Sequence, residues 1–379
     1  MKEPRRVLVI AYLPPTRGGI ATWAGILRAE AAGRGFAFRF LDIPVRRGPA
    51  AFRRIVQTLD AMRLLARLLR HLAGGRVDLV HVNCCLSPAG IWRDLAAALL
   101  AAAGGVPVVA HYRGSLPDAV GRFGPPSRFA LRRLMNLAGM NVGVTGKSVA
   151  WLARRTPAKA AYLPNFVEDR RPRRTADASH RTMRRSPTRP QAIYVGRLSR
   201  DKGTFDLLRV ASLLPHVDFV LVGEVLDEAK AAIGAAPGNV RSLGAVSRDE
   251  AIERLCGSDM FVFPSHREGF PNAILEAMAA GLPVVGARVG DIGEMIVEGK
   301  GGWLVAPGDV PALARAIDRL AADSALAREM GVFNRNVCEA RFTVSAVFPS
   351  LVAVYDALPS RRRPSTEAER SAASAGQEA

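Results

Sequence analysis

Two successive series of apolar strands and helical patterns constrain the fold of this chain more than any other feature. In the first half, apolar runs predict strands at 6–12, 36–43, 77–83, 107–112 and 140–145. Helical periodicity occupies 20–33, 50–73, 88–103, 127–138 and 147–155 between them. The run from Val77 to Val82 is apolar almost throughout, as is typical of parallel strands covered on both faces. The first half is therefore predicted to form a doubly wound α/β sheet.

A second series begins near residue 190. Its strands are predicted at 191–197, 217–223, 240–246, 260–264, 283–287 and 302–305, with helices between them. Between Glu168 and Pro190 the sequence is rich in Arg, Pro, Ser and Thr without periodicity, which indicates an exposed connector. Two such units predict two Rossmann-like domains that face each other across a cleft. Ligands of these sheets bind beyond the carboxyl ends of the strands, so the cleft is the expected site.

These patterns also set the expected domain bounds. We predict an N-terminal domain over 1–169, a basic linker over 170–189 and a C-terminal domain over 190–342. A helix over 343–358 follows, and it could cross back to the N-terminal domain. Residues 359–379 are polar and charged, which predicts a disordered tail.

The net charge of +19 is concentrated in the first half of the chain. Residues 1–169 hold 25 Lys and Arg against 9 Asp and Glu, whereas residues 190–358 hold 16 against 21. The segment 170–189 adds eight arginines against one aspartate. This asymmetry favours an anionic partner for the first half: membrane lipid, a pyrophosphate-linked acceptor or nucleic acid. A solvated arginine-rich surface is the alternative, because the leucines that alternate with arginines in the helix over 50–73 could simply pack on the sheet.

No signal peptide or membrane-spanning segment is predicted. The apolar run that begins at Val7 is too short for the core of a signal peptide. The longest uncharged stretch, 95–110, is shorter than the roughly 18 to 20 residues of a span and contains Pro107. The four cysteines have no metal-ligand spacing, which indicates a reducing compartment. We expect a cytoplasmic protein that can attach peripherally to the inner face of the membrane.

The strongest chemical signal runs from Phe261 to Glu276. A strand ends, a loop turns through Glu268 and Gly269, and a helix is predicted to begin near Pro271, a residue that suits the first helical position. The free N–H groups of that helix start offer an anion site. Two carboxylates beside it suit hydrogen bonding to sugar-nucleotide hydroxyls, although Glu276 taken alone would be an ordinary exposed helix residue.

The segment from Glu268 to Val285, with two glutamates separated by seven residues, resembles the signature of family 4 retaining glycosyltransferases. The likeness extends to Gly196 through Gly203 and, in the first half, to Gly18-Gly19 and to His111 in the run VAHYRG. This resemblance implies the GT-B fold, with two Rossmann-like doubly wound domains facing a central cleft. It also implies retaining transfer of a hexose from a UDP- or GDP-sugar, with no cofactor and no metal ion. The acceptor would be a glycan or a lipid-linked molecule in cell-surface polysaccharide or glycolipid synthesis.

The resemblance assigns roles to single residues. Arg197 and Lys202 would hold the donor diphosphate and replace a divalent ion as the leaving group departs, although a solvated loop is the alternative. Glu268 would contact the donor sugar and Glu276 the ribose. His111 would lie by the sugar at the reacting centre, although an isolated histidine at a strand end is more often structural.

Glycines and loop residues complete the expected donor site. Gly18 and Gly19 would let backbone N–H groups approach the phosphate. Amides of the loop formed by Gly269, Phe270, Pro271 and Asn272 would bind the sugar hydroxyls and the β-phosphate. Three residues depart from the family pattern or lie outside it: Asp201 stands where glutamate is usual, Asp291 follows Gly290, and Arg113 could touch the acceptor.

Three other classes of function compete with this one. A dinucleotide oxidoreductase requires Gly-x-Gly-x-x-Gly after a strand, and the sequence has no such run. A sugar-nucleotide epimerase of the same architecture is a closer alternative, but the Glu268–Glu276 segment favours a glycosyltransferase. A nucleic-acid-binding protein would explain the charge, but the basic half lacks clustered aromatic residues for stacking, so we expect no nucleic-acid partner.

Overall fold

The computed structural model of the chain describes residues 4–16, 18–31, 34–44, 50–169 and 189–359. The predicted basic linker, apart from Arg189, and the predicted disordered tail, apart from Pro359, lie outside the described residues.

The N-terminal domain is a six-stranded parallel sheet with helices on both faces. Its elements are β1 (Arg5–Ala11), α1 (Gly19–Glu30), β2 (Phe36–Asp42), α2 (Ala50–Ala73), β3 (Leu79–Cys84), α3 (Pro88–Ala103), β4 (Val108–Tyr112), α4 (Leu116–Gly121), α5 (Pro125–Leu137), β5 (Met140–Gly143), α6 (Gly146–Ala153) and β6 (Lys159–Tyr162). The strand order is β2-β1-β3-β4-β5-β6. The sequence pattern did not predict α4 or β6, because α4 is only six residues long and β6 is an edge strand without a buried apolar run.

The C-terminal domain repeats this architecture with another parallel sheet. Its elements are β7 (Gln191–Val195), α7 (Thr204–Leu213), β8 (Asp218–Val222), α8 (Asp227–Gly234), β9 (Val240–Gly244), α9 (Arg248–Cys256), β10 (Met260–Phe263), α10 (Asn272–Ala279), β11 (Val284–Ala287), α11 (Ile292–Met295), β12 (Gly302–Val305), α12 (Val310–Ala322) and α13 (Ser324–Arg341), and a last helix, α14 (Val344–Asp356), follows it. The strand order is β12-β11-β10-β7-β8-β9.

The strand orders fix where ligands can bind. The order reverses between β1 and β3 in the first sheet and between β7 and β10 in the second. Such switch points open a crevice at the carboxyl ends of the strands, and ligands bind there. Two doubly wound domains of this kind confirm the predicted fold class.

The last helix, α14, packs on the N-terminal domain rather than on the domain that precedes it. Its side chains Phe348, Leu351 and Tyr355 belong to the apolar cluster of Val7 and Trp23. Backbone hydrogen bonds from Val167 to Phe342 and from Val344 to Val167 anchor its start to the end of the N-terminal domain. Two chain crossings therefore join the domains.

Candidate active site

The loops after β1, β4, β7 and β10 meet in the cleft between the domains. Gly18 is the N-cap of α1 with a φ of +133°, a conformation that favours glycine, and Gly19 is the first helical residue. The carbonyl of Gly19 accepts a hydrogen bond from Asn272 Nδ2 at 3.3 Å. The two glycines and the loop 269–272, called the donor loop below, are predicted to bind the same ligand, and they face each other across the cleft.

Lys202 and Glu268 form an ion pair between the β7 and β10 loops. The Nζ atom donates to Glu268 Oε1 at 2.7 Å and to the carbonyl of Arg267 at 3.2 Å. The two side chains are only 17% and 12% exposed. Arg197 lies exposed just after β7, where its carbonyl accepts a hydrogen bond from the hydroxyl of Tyr194. Both predicted cations thus lie at the switch point of the second sheet.

Two glycines, Gly269 and Gly290, allow close backbone contacts on either side of the donor loop. A Cβ atom on Gly269 would lie 2.8 Å from Gly114 Cα of the opposite domain. A Cβ atom on Gly290, whose φ is +55°, would lie 2.4 Å from the carbonyl oxygen of Glu268. The helix start differs by one residue from the prediction: Pro271 is the N-cap of α10, and Asn272 is the first helical residue. Pro271 has no N–H group, so the amides that face outward belong to the residues around it.

Glu276 lies in an ion-pair network and is not the exposed helix residue that its position alone would predict. It is 9% exposed, and its Oε1 accepts from Arg248 Nε at 3.1 Å. The same guanidinium donates to both carboxylate oxygens of Glu168, at the end of the N-terminal domain. Its expected contact with a ribose stays a prediction.

His111 is fully buried at the end of β4. Its Nδ1 lies 3.2 Å from His81 Nε2, and its Nε2 lies 3.1 Å from Nη1 of Arg113. Burial, followed by the charge of Arg113 and by His81, holds the pKa of His111 well below its usual range. His111 is therefore neutral at physiological pH, and Arg113 covers it. Its expected place beside the sugar stays a prediction.

Asn165 joins the two domains, and no sequence signal pointed to it. Its Nδ2 donates to the carbonyl of Phe270 at 2.8 Å and to Asn272 Oδ1 at 2.6 Å. Its Oδ1 accepts from Arg113 Nη2 at 2.5 Å. The side chain is buried in the loop after β6. A single asparagine in a loop has no periodicity or motif, so only the folded chain reveals this link.

A second contact between the domains involves the start of α6. Glu294 Oε2 accepts from the backbone N–H of Gly146 at 3.1 Å, and Lys147 Nζ donates to the carbonyl of Gly290 at 3.2 Å. Lys147 Nζ also lies 3.8 Å from Asp291, whose side chain is fully buried. Burial, followed by the charge of Glu294, raises the pKa of Asp291 to about 6.

An open cavity of about 1200 Å³ lies on the C-terminal domain between α7 and α8. Neither Lys202 nor Glu268 lines it, but their neighbours Asp201 and Arg267 do, so the cavity lies beside the predicted donor site. Within the described part of the chain, no three His, Cys, Asp or Glu side chains group in a way that could hold a metal ion. In the same residues, no helix has the length and apolar character needed to cross a bilayer.

Comparison with known proteins assigns the chain to a protein family. The profile described as Glycosyltransferase Family 4 matches residues 19–171, and that described as Glycosyl transferases group 1 matches residues 189–323. The chain is 30% identical over 306 residues to the 2-deoxystreptamine N-acetyl-D-glucosaminyltransferase of Streptomyces fradiae, covering 74% of this chain and 68% of that protein. It is 30% identical over 172 residues to the capsular polysaccharide biosynthesis glycosyltransferase CapM of Staphylococcus aureus, covering 43% of this chain.

The aligned part is 45% of CapM, so the chain spans about half the length of that curated relative. Among solved structures, the Anabaena protein HepE in complex with UDP-glucose superposes with a TM-score of 0.74 at 19% identity, covering 93% of this chain and 100% of HepE. Sucrose-phosphate synthase of Thermosynechococcus elongatus superposes with the same TM-score at 18% identity, covering 93% and 98%. These structures share the fold. The profiles and the Streptomyces relative show that the chain belongs to the group 1, family 4 glycosyltransferases.

Proposed function

We propose that the chain is a retaining glycosyltransferase that moves a sugar from a UDP- or GDP-sugar to a glycan or lipid-linked acceptor without a metal ion. The observation that carries the proposal is the Lys202–Glu268 pair, which lies at the switch point of the second sheet. HepE was solved with UDP-glucose, and CapM is named for capsular polysaccharide synthesis. HepE therefore supports a nucleotide-sugar donor, and CapM supports a role in cell-surface polysaccharide synthesis.

The charges of the cleft suit departure of a diphosphate. Arg197 and Lys202 are two cations near one switch point, and cations aimed at a leaving group stabilise negative charge as it develops in the transition state. A diphosphate would compete with Glu268 for Lys202 Nζ. Glu268 released in this way has two carboxylate oxygens to accept hydrogen bonds from sugar hydroxyls.

The environment of His111 supports retention of the anomeric configuration. Inversion of a glycosidic centre uses a general base that removes a proton from the incoming nucleophile. His111 is fully buried, and its pKa is held well below the usual range, so it is poorly suited to that task. His111 therefore does not supply the base that inversion would need.

The outer face of the N-terminal domain supports docking on an anionic membrane. Helix α3 packs between α2 and α5, so the three helices form one surface. Its exposed apolar side chains are Ile55, Leu59, Met62, Leu69, Trp92, Leu99 and Phe129, and its exposed arginines include Arg63, Arg67, Arg70, Arg128, Arg132 and Arg133. Leu64 and Leu68 pack on the sheet instead. Basic residues near anionic lipid contribute about 1 kcal/mol each, so a few suffice for reversible binding.

The test is release of nucleoside diphosphate from UDP-glucose, UDP-N-acetylglucosamine and GDP-mannose, with and without EDTA. We expect release from one donor, stabilisation of the protein by the matching nucleotide, and unchanged activity in EDTA. A nucleotide at 100 times its Kd adds about 2.7 kcal/mol to the free energy of unfolding. NMR of the product linkage then reads the anomeric configuration. An inverted product, or no stabilisation by UDP or GDP, would contradict the proposal.

A further inference from the structure

Arg113 is a cation at the cleft whose hydrogen-bonding and ring partners are all neutral. Nη2 donates to Asn165 Oδ1, and Nη1 lies 3.1 and 3.3 Å from the two ring nitrogens of His111. The guanidinium carbon lies 4.8 Å from the centre of the Trp23 ring. Burial lowers the pKa of Arg113 to about 9, and no described carboxylate offsets that effect. The side chain is still charged at neutral pH.

Most other partly buried arginines in the described part of the chain have carboxylate partners, whereas Arg5 and Arg335 donate to backbone carbonyls. Arg6 pairs with Asp78 at 2.7 Å, and Arg93 pairs with Asp94 at 2.7 Å. Desolvation of a cation without a counterion is unfavourable, and neutral hydrogen bonds offset only part of that cost. An arginine kept in that condition at a cleft indicates a role in binding, because stability alone disfavours it.

The position of Arg113 indicates which part of a ligand it would meet. It follows β4, two strands away from β1, so its strand end lies about 10 Å from the Gly18-Gly19 turn. Gly114, the next residue, touches Gly269, and Asn165 links the guanidinium to the donor loop. The end of β4 is thus removed from the glycine turn, whereas the guanidinium reaches over Trp23 of α1 and lies beside the loop expected to hold the sugar.

We propose that Arg113 recognises an anionic group, a carboxylate or a phosphate, on the transferred sugar or on the acceptor. The inference rests on the proposed function, which assigns the donor diphosphate to the glycine turn and Lys202. A guanidinium binds a carboxylate or a phosphate through two parallel hydrogen bonds, and a neutral ligand group cannot replace that interaction. Arg113 therefore selects a charged substrate.

The experiment measures binding by calorimetry to the wild type, Arg113→Gln and Arg113→Lys. One arm uses UDP or GDP alone, whichever the wild type binds. A second compares the glucose and glucuronate conjugates of that nucleotide. A third adds sn-glycerol 3-phosphate or glycerol to nucleotide-saturated protein. Arg155→Gln is the matched control, because Arg155 lies 4.5 Å over the Trp151 ring but is exposed just beyond the far end of α6.

We expect Arg113→Gln to bind the nucleotide within about twofold of the wild type. It should lose at least about tenfold in affinity for the anionic member of one pair, while Arg113→Lys keeps part of that affinity. The affected pair tells whether the anion belongs to the sugar or to the acceptor. Arg155→Gln should match the wild type in every arm.

Two results would overturn the inference. The first is a tenfold loss of nucleotide affinity in Arg113→Gln. The second is that, in both ligand pairs, the wild type and Arg113→Gln show the same ratio of affinities for the anionic and the neutral member. A wild type that binds neither nucleotide refutes the proposed function itself, and the inference with it. Thermal unfolding adds an independent readout. Loss of an uncompensated cation should leave the Tm of Arg113→Gln equal to or above that of the wild type, whereas a purely structural arginine predicts a lower Tm.

Discussion

The free energy of unfolding of the wild type should fall as the pH rises from 4 to 6, because Asp291 then loses its proton in a buried position. Replacing Asp291 with Asn should abolish this fall. The Asp291 carboxylate is fully buried beside Glu294 at the contact between the domains. Lys147 lies 3.8 Å away but is 66% exposed, so solvent screens much of its attraction. Burial and Glu294 therefore raise the pKa of Asp291 from 3.8 to about 6 in the folded protein.

The direction of the effect follows from proton binding. Below pH 4 the carboxyl is protonated in both the folded and the unfolded chain, and it causes no difference. As the pH rises, the unfolded chain releases the proton near pH 4, while the folded protein keeps it until about pH 6. The free energy of unfolding therefore falls across this window and is level above it. A shift of about two pKa units corresponds to about 3 kcal/mol.

The assay is urea unfolding of the wild type and Asp291→Asn at pH 4, 5, 6 and 7. The difference in free energy of unfolding should be near zero at pH 4 and reach about 3 kcal/mol in favour of the variant at pH 7. Asp249→Asn, which removes an exposed carboxylate in the same domain, should follow the wild type at every pH. If the wild type and Asp291→Asn give parallel curves, the argument from burial is wrong.

Three further predictions address the site and the surface. Lys202→Ala should lower turnover about a hundredfold, or roughly 3 kcal/mol, and strict dependence of the wild type on a divalent metal would remove the argument for this cation. Asn165→Ala should lower the free energy of unfolding by about 1–3 kcal/mol, because it leaves buried partners unsatisfied. It should also raise KM for the donor, and an unchanged KM would show that the link does not shape the donor loop. The triple change of Arg63, Arg67 and Arg70 to Gln should reduce co-sedimentation with anionic vesicles at low salt, and equal absence of wild-type binding to anionic and neutral vesicles would indicate a merely solvated surface.

The buried strands could be predicted from the sequence because their apolar runs are continuous. The predicted helices over 50–73 and 88–103 have the same bounds as α2 and α3. β6 was missed because both its terminal residues, Lys159 and Tyr162, are exposed, and a half-exposed edge strand has no apolar run. The periodicity of a buried element thus reflects its environment directly, whereas a short, half-exposed strand such as β6 has no such pattern.

Only part of the site could be predicted, because some of its residues belong to local motifs and others are brought in by long-range contacts. The donor loop and the two cations belong to short local motifs, and the two strand orders bring them to one cleft. Asn165 contacts Phe270 and Asn272, which are more than 100 residues away along the chain. Contacts of this kind depend on how the two domains pack. No local pattern encodes that packing.

The same packing explains why several charged side chains of the cleft, unlike Arg113, are paired with each other. Lys202 is bonded to Glu268, and Arg248 is shared between Glu168 and Glu276. Partly buried charges need partners, because desolvation is costly for each of them alone. A nucleotide sugar that binds here must exchange these bonds for its own phosphate and hydroxyl groups. The net affinity is therefore the difference between two sets of charge-assisted bonds, so Lys202→Ala should weaken nucleotide binding less than it slows transfer, where charge on the leaving group is greatest.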